Sequence, residues 1–235
     1  MVAVWAEYYI LSSLISIVMK KLLIFSSGTK EGGGSGFENL VNASRNGILN
    51  AEIVGVVSNH ENGGVRQRAD RLGVKFIHFP SPCTADGYQR IARETGAEYF
   101  ALSGWLKLVS GLDPQTSFNS KTVFNIHPGP LPKFGGAGMY GHHVHEAVVE
   151  AYKRGEVTHS AVSMHFVTEK YDEGPMILDY PVEVLPDDTG ETLGKRVNEA
   201  EHKVQPVITN LVVDGAIHWN GVNRESLVRP EKYEF

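Results

Sequence analysis

Leu22-Leu23-Ile24-Phe25-Ser26-Ser27 runs directly into Gly28-Thr29-Lys30-Glu31-Gly32-Gly33-Gly34-Ser35-Gly36, and then into Phe37-Glu38-Asn39-Leu40-Val41. The first run is almost continuously apolar, as a strand buried on both faces must be. The glycines turn the chain, and the apolar residues Phe37, Leu40 and Val41 then recur at helical spacing. A strand, a glycine-rich turn and a helix in this order begin an α/β sheet, with the backbone N–H groups of the turn and the helix dipole placed to hold a phosphate.

The same alternation continues along the chain. Its pattern predicts strands over 22–27, 51–58, 75–79, 98–102, 121–126, 161–167 and 176–184, and helices over 37–45, 65–72, 87–95, 140–153 and 189–213. The expected fold class is α/β, a mostly parallel twisted sheet flanked by helices. Leu193, Val197, Val204, Ile208 and Leu211 give the last helix an apolar stripe, although Pro206 is expected to kink or divide it. The tail after Gly221, with Arg224, Arg229, Pro230 and Lys232, is expected to be polar and superficial.

The 235 residues are 42% hydrophobic and 21% charged, an ordinary balance for one globular core. A net charge of -5 without a long basic run argues against a protein that tracks nucleic-acid phosphates and favours small-molecule chemistry. The single cysteine, Cys83, excludes an intrachain disulfide framework and suits a reducing cytoplasm. Residues 1–18 are mostly apolar, but Glu7, Ser12, Ser13 and Ser16 interrupt them and no basic residue precedes them. They are expected to be an extension or a start placed too far upstream, rather than a signal peptide or a membrane span. Residues 19–235 are then expected to form a single domain.

Chemistry concentrates in two stretches, Phe124-Asn125-Ile126-His127-Pro128-Gly129-Pro130-Leu131-Pro132 and Met164-His165-Phe166-Val167-Thr168-Glu169-Lys170-Tyr171-Asp172-Glu173-Gly174-Pro175. Asn125 and His127 are two apart, so on a strand both side chains share a face. The three prolines force the chain out of the sheet, and His127 is expected in an exposed loop. An amide and an imidazolium can both donate to an oxyanion, and a carboxylate such as Asp172 is expected to raise the pKa of His127 so that it serves as a general acid. No serine or cysteine nucleophile is signalled, which favours direct transfer between substrates. His142, His143, His145 and Glu146 match no recognised ligand spacing, and no metal is expected.

With Asn-Ile-His-Pro plus Leu-Pro-Lys, and His-Phe-Val-Thr-x-x-x-Asp-x-Gly-Pro after it, the chain resembles the glycinamide ribonucleotide formyltransferases of the folate-dependent formyltransferase superfamily. The likeness runs from Lys21 to Gly215 and implies the Rossmann-like formyltransferase fold. It implies a formyl transfer from 10-formyltetrahydrofolate to the amine of 5-phosphoribosylglycinamide, with Asn125, His127 and Asp172 catalytic. It further implies that Gly34, Ser35, Gly36 and Glu201 hold the ribonucleotide. Leu106, Lys107, Leu108, Val109, Asn125, Thr168, Glu169, Lys170 and Tyr171 would contact the folate. A monomer or homodimer acting on small molecules is expected. The chain departs from the family pattern at Gly36, where an asparagine is usual, and at Gly129, where a serine is common. Three alternatives stay open at this stage: a deformylase that releases formate, a formyltransferase for another amine, and a nucleotide-binding oxidoreductase module on the glycine loop.

Overall fold

The computed structural model describes residues 19–235; the apolar extension expected over residues 1–18 lies outside them. Among the described residues, seven strands form one sheet in the order β3-β2-β1-β4-β5-β6-β7. The strands are β1 (Lys20–Phe25), β2 (Ala51–Ser58), β3 (Phe76–His78), β4 (Tyr99–Ser103), β5 (Val123–His127), β6 (His159–Phe166) and β7 (Met176–Glu183). The first five pair in parallel, and β6 and β7 are antiparallel additions. The helices are α1 (Ser35–Arg45), α2 (Gly64–Leu72), α3 (Ala85–Thr95), α4 (His142–Lys153) and α5 (Gly190–Val213).

The alternation of β1 assigns its two faces. Leu22 and Ile24 pack with Phe37 and Leu40 of α1, Val144 and Val148 of α4, and Val197 and Ile208 of α5. Leu23 and Phe25 point the other way, into Tyr88 and Ile91 of α3 with Phe100 and Phe118. Strand order reverses at β1, whose neighbours are β2 and β4. In an open α/β sheet the loops leaving the carboxyl ends of such strands diverge and leave a crevice for a ligand.

Two expectations need correction. His127 is the last residue of β5 and is only 3% exposed, so it does not lie in an open loop. The prolines stop the strand one residue later than expected, and the turn they force folds back so that the Phe134 carbonyl covers the ring. Pro206 does not divide α5, which runs as one helix of 24 residues. A proline at 206 removes the N–H that would bond the His202 carbonyl. Asn39 Nδ2 of α1 donates to that carbonyl instead, at 2.8 Å.

The tail after Gly221 is superficial, as expected, and is tied down at its root and along its length. Trp219 is buried, donates Nε1–H to the Ser120 carbonyl at 2.8 Å and tilts against the Phe166 ring. Arg224 donates to the Glu173 carbonyl, while Arg229 and Tyr233 both donate to the Ile177 carbonyl.

Candidate active site

A cleft of about 660 Å³ opens over the carboxyl ends of β1, β4 and β5. The glycine loop after β1 forms one wall, residues 104–109 after β4 a second, and the 167–172 loop between β6 and β7 a third. Among the sequence-predicted residues, Gly34, Ser35, Gly36, Glu201, Leu106, Lys107, Leu108, Val109, Asn125, His127, Thr168, Lys170, Tyr171 and Asp172 all line it. Glu169 does not; its side chain is exposed at the outside of the turn.

At the centre Asp172 is held from three sides. Its Oδ2 accepts from Gly136 N at 2.9 Å and lies 3.7 Å from His127 Nδ1, while its Oδ1 lies 3.3 Å from His165 Nε2 and 3.4 Å from Asn125 Nδ2. Asp172 sits at φ 54°, a left-handed conformation that aspartate tolerates better than most residues. Burial opposes its charge, yet the contacts with His165, His127 and Gly136 outweigh that cost and keep the carboxyl below its ordinary range.

His127 Nε2 is 2.8 Å from the Phe134 carbonyl. A carbonyl only accepts, so this nitrogen carries a proton and Nδ1 is the nitrogen left facing Asp172. Burial lowers the pKa of His127 more than Asp172 and the Phe134 carbonyl raise it. The expectation of a ring held protonated by its carboxylate is therefore corrected: desolvation wins, and the ring rests neutral at neutral pH. Asp172 still favours the cation once a proton arrives.

His165 is the member that sequence reasoning missed. It pairs with Asn125 across the antiparallel β5–β6 ladder. Its Nδ1 donates to the Phe166 carbonyl at 2.8 Å, and its Nε2 lies between Asn125 Nδ2 at 3.2 Å and Asp172 Oδ1 at 3.3 Å. Asn125 Nδ2 donates to Asp172 Oδ1 over a long 3.4 Å contact, a weak bond that is readily exchanged for an oxyanion. A histidine within the buried run Met164-His165-Phe166 was the available signal.

The two ends of the cleft differ in chemistry. At one end Leu106, Leu108 and Tyr171 leave large apolar surfaces exposed, while Val109 belongs to the core. Residues 104–109 are fixed from below, because Trp105 Nε1 donates to the Tyr88 hydroxyl at 2.9 Å and that hydroxyl donates to the Leu108 carbonyl at 3.2 Å. At the other end Gly34 caps α1 at φ 80° with no side-chain bond. Asn198 Nδ2 lies 3.5 Å from Ser35 Oγ and 3.3 Å from Glu201 Oε2. Desolvation pushes the Glu201 carboxyl up to about 7 against the lowering effect of Asn198.

Gly129 has a steric reason: a Cβ there would run into Val144 and approach His127 Nε2 to 3.4 Å. His142 pairs with Glu146 at 2.9 Å on the surface, while His145 is buried with its pKa lowered by desolvation to about 4. Among the described residues no group of three histidine, cysteine, aspartate or glutamate side chains is arranged to hold a metal ion, and no helix is long and apolar enough to cross a membrane.

Comparison with known proteins places residues 20–209 within the formyl transferase family profile. A phosphoribosylglycinamide formyltransferase named as chloroplastic, from Arabidopsis thaliana, is 34% identical over 207 residues, which are 85% of this chain and 68% of that protein. The trifunctional purine biosynthetic protein adenosine-3 of Gallus gallus is 34% identical over 203 residues, 84% of this chain but 19% of that much longer protein. Among solved structures, glycinamide ribonucleotide transformylase 1 from Symbiobacterium toebii superposes with a TM-score of 0.73 at 27% identity, covering 86% of this chain and 92% of that one.

Proposed function

The chain belongs to the formyl transferase family, and from that premise we propose that it moves the formyl group of 10-formyltetrahydrofolate to the amine of 5-phosphoribosylglycinamide in de novo purine synthesis. The observation that carries the reading is the convergence of Asn125, His127 and Asp172 between an apolar half-cleft and a glycine-loop half-cleft. The amine attacks the formyl carbon, and the Asn125 amide receives the oxyanion in exchange for its long contact with Asp172. Neutral His127 takes the proton released by the attacking nitrogen at Nδ1, and Asp172 stabilises the imidazolium so formed. That proton then passes to N10 of the folate as the carbon–nitrogen bond breaks. Cys83 takes no part: it does not line the cleft, and burial pushes its thiol up, away from a nucleophilic thiolate.

Leu106, Leu108 and Tyr171 supply apolar faces for the pterin, with Thr168 and Lys170 beside it. Lys107 supplies a cation for the donor's carboxylates. Gly34, Ser35 and Gly36 hold the phosphate, and Glu201 meets the ribose. Residues 19–235 act as one unit in this reading, and a reducing compartment such as the cytoplasm suits the single thiol.

The direct test follows tetrahydrofolate production from 10-formyltetrahydrofolate with and without 5-phosphoribosylglycinamide. Turnover that needs the acceptor is expected; formate release without it would turn the assignment to a hydrolase.

The Tyr88 hydroxyl bears on the donor half. Tyr88→Phe leaves the Trp105 N–H and the Leu108 carbonyl without their shared partner, at a cost of about 1–3 kcal/mol. Denaturant melts should show that loss, and the KM for the formyl donor should rise while that for the acceptor holds. Equal changes in both constants would remove Tyr88 from the support of this wall.

A further inference from the structure

Beneath the glycine loop lies a polar floor that the reading above leaves unused. Gly36 has no side chain, and a Cβ built there would collide with Ser103 Oγ and come within 3.1 Å of Gln205 Oε1. Ser103 is the last residue of β4 and Gln205 belongs to α5; they are 6% and 1% exposed, and both line the cleft. Ser103 Oγ donates to Gln205 Oε1 at 3.3 Å, which orients the amide. Among the described residues, Gln205 Nε2 makes no hydrogen bond, and it is not among the sealed polar atoms, so it stays reachable from the cleft that Gln205 lines. An amide donor that faces a cleft with no protein partner is free to bond an acceptor that enters the site. Asn198, Glu201 and Gln205 recur at i, i+3 and i+7 along α5, so all three present one helix face to the loop.

We infer that Gln205, oriented by Ser103, donates through Nε2 to a phosphate oxygen of the acceptor substrate from the floor of the cleft, against which Gly36 packs because it has no side chain. The inference rests on the proposed acceptor and adds a binding residue to it. The loop holds the phosphate from above with backbone N–H groups; the floor closes the cradle with a neutral amide. A neutral donor suits this position because Glu201 stands one turn away on the same helix face, where a buried cation would be drawn to the carboxylate rather than to the ligand.

Gln205→Met keeps the volume and removes the donor, and Ser103→Ala removes the group that orients it without demanding space. A hydrogen bond to a charged group contributes enough that Gln205→Met should raise the acceptor KM by about tenfold to a hundredfold. The KM for the formyl donor should stay at its wild-type value. Ser103→Ala should show a smaller rise of the same kind, and Gln205→Glu a larger one, since a carboxylate would face the phosphate. Calorimetric titration with ribose 5-phosphate reads the subsite without turnover, and its Kd should weaken by the same factor in Gln205→Met. An unchanged acceptor KM and an unchanged Kd in the folded Gln205→Met protein would overturn the inference. So would an equal loss of affinity for ribose lacking the phosphate. If wild type binds ribose 5-phosphate and Gln205→Met weakens it, but wild type does not formylate 5-phosphoribosylglycinamide, the acceptor assignment fails while the phosphate subsite stands.

Discussion

His127→Ala should lower kcat by about 10²–10⁴, the usual yield of a positioned general acid–base group. Asn125→Ala should lower it by about 10²–10³, through loss of the oxyanion donor. The pH dependence decides which form of His127 is active. Burial holds its pKa below the ordinary histidine value, so the neutral base is lost only when the pH falls through that lowered pKa. The acid limb of kcat/KM is therefore expected below the ordinary histidine range. Asp172 is the leading influence that raises this pKa, so Asp172→Asn should shift the limb to still lower pH while reducing the rate. An acid limb in wild type at or above the ordinary value would mean that the ring enters the reaction as a cation.

Gly174→Ala should be the most damaging small substitution in the chain. Its Cβ would fall on the Phe166 carbonyl oxygen and lie 3.3 Å from His165 Nδ1. The obstruction is backbone, the same carbonyl that orients His165, and it cannot rotate aside as a side chain would. Relief requires moving residues 167–175, which carry Asp172. Overpacking of this kind costs about 1–3 kcal/mol or more, and the upper end is expected here because the obstacle is rigid. Activity should fall as far as in a substitution of Asp172 itself, with a clear drop in the midpoint of denaturant unfolding. Near-wild-type turnover in the purified variant would show that the hairpin loop can be rebuilt without loss.

The sheet was legible because its strands are short apolar runs separated by glycine turns and amphipathic helices. Asn125 and His127 were legible as a pair on one strand face because they are two apart before a run of prolines, and their roles were legible through the motif resemblance that joins them to Asp172. Their partner His165 was hidden, since its place depends on β6 running antiparallel to β5. A hint was present: residues 167–175 are too few for a parallel crossover between β6 and β7, so that pair had to be a hairpin. The protonation state of His127 was not legible, because it depends on a carbonyl seven residues later folding over the ring. Gln205 was invisible for a similar reason: its neighbours Gly36 and Ser103 are far apart in sequence, and only the β1–β4 pairing with α5 above them brings the three together.

The bond from Asn39 to the His202 carbonyl turns an apparent weakness in α5 into a latch. A proline usually costs a helix one internal bond; here the acceptor it frees becomes the socket for a side chain of α1. The glycine loop leads into α1, and Gln205 directly precedes Pro206, so this latch sets the distance between the roof and the floor of the phosphate cradle. A residue with an N–H at 206 would compete for that socket. The substitution that local helix propensity favours most would then strengthen the helix and loosen the site, and selection for stability and for substrate affinity would pull in opposite directions at this position.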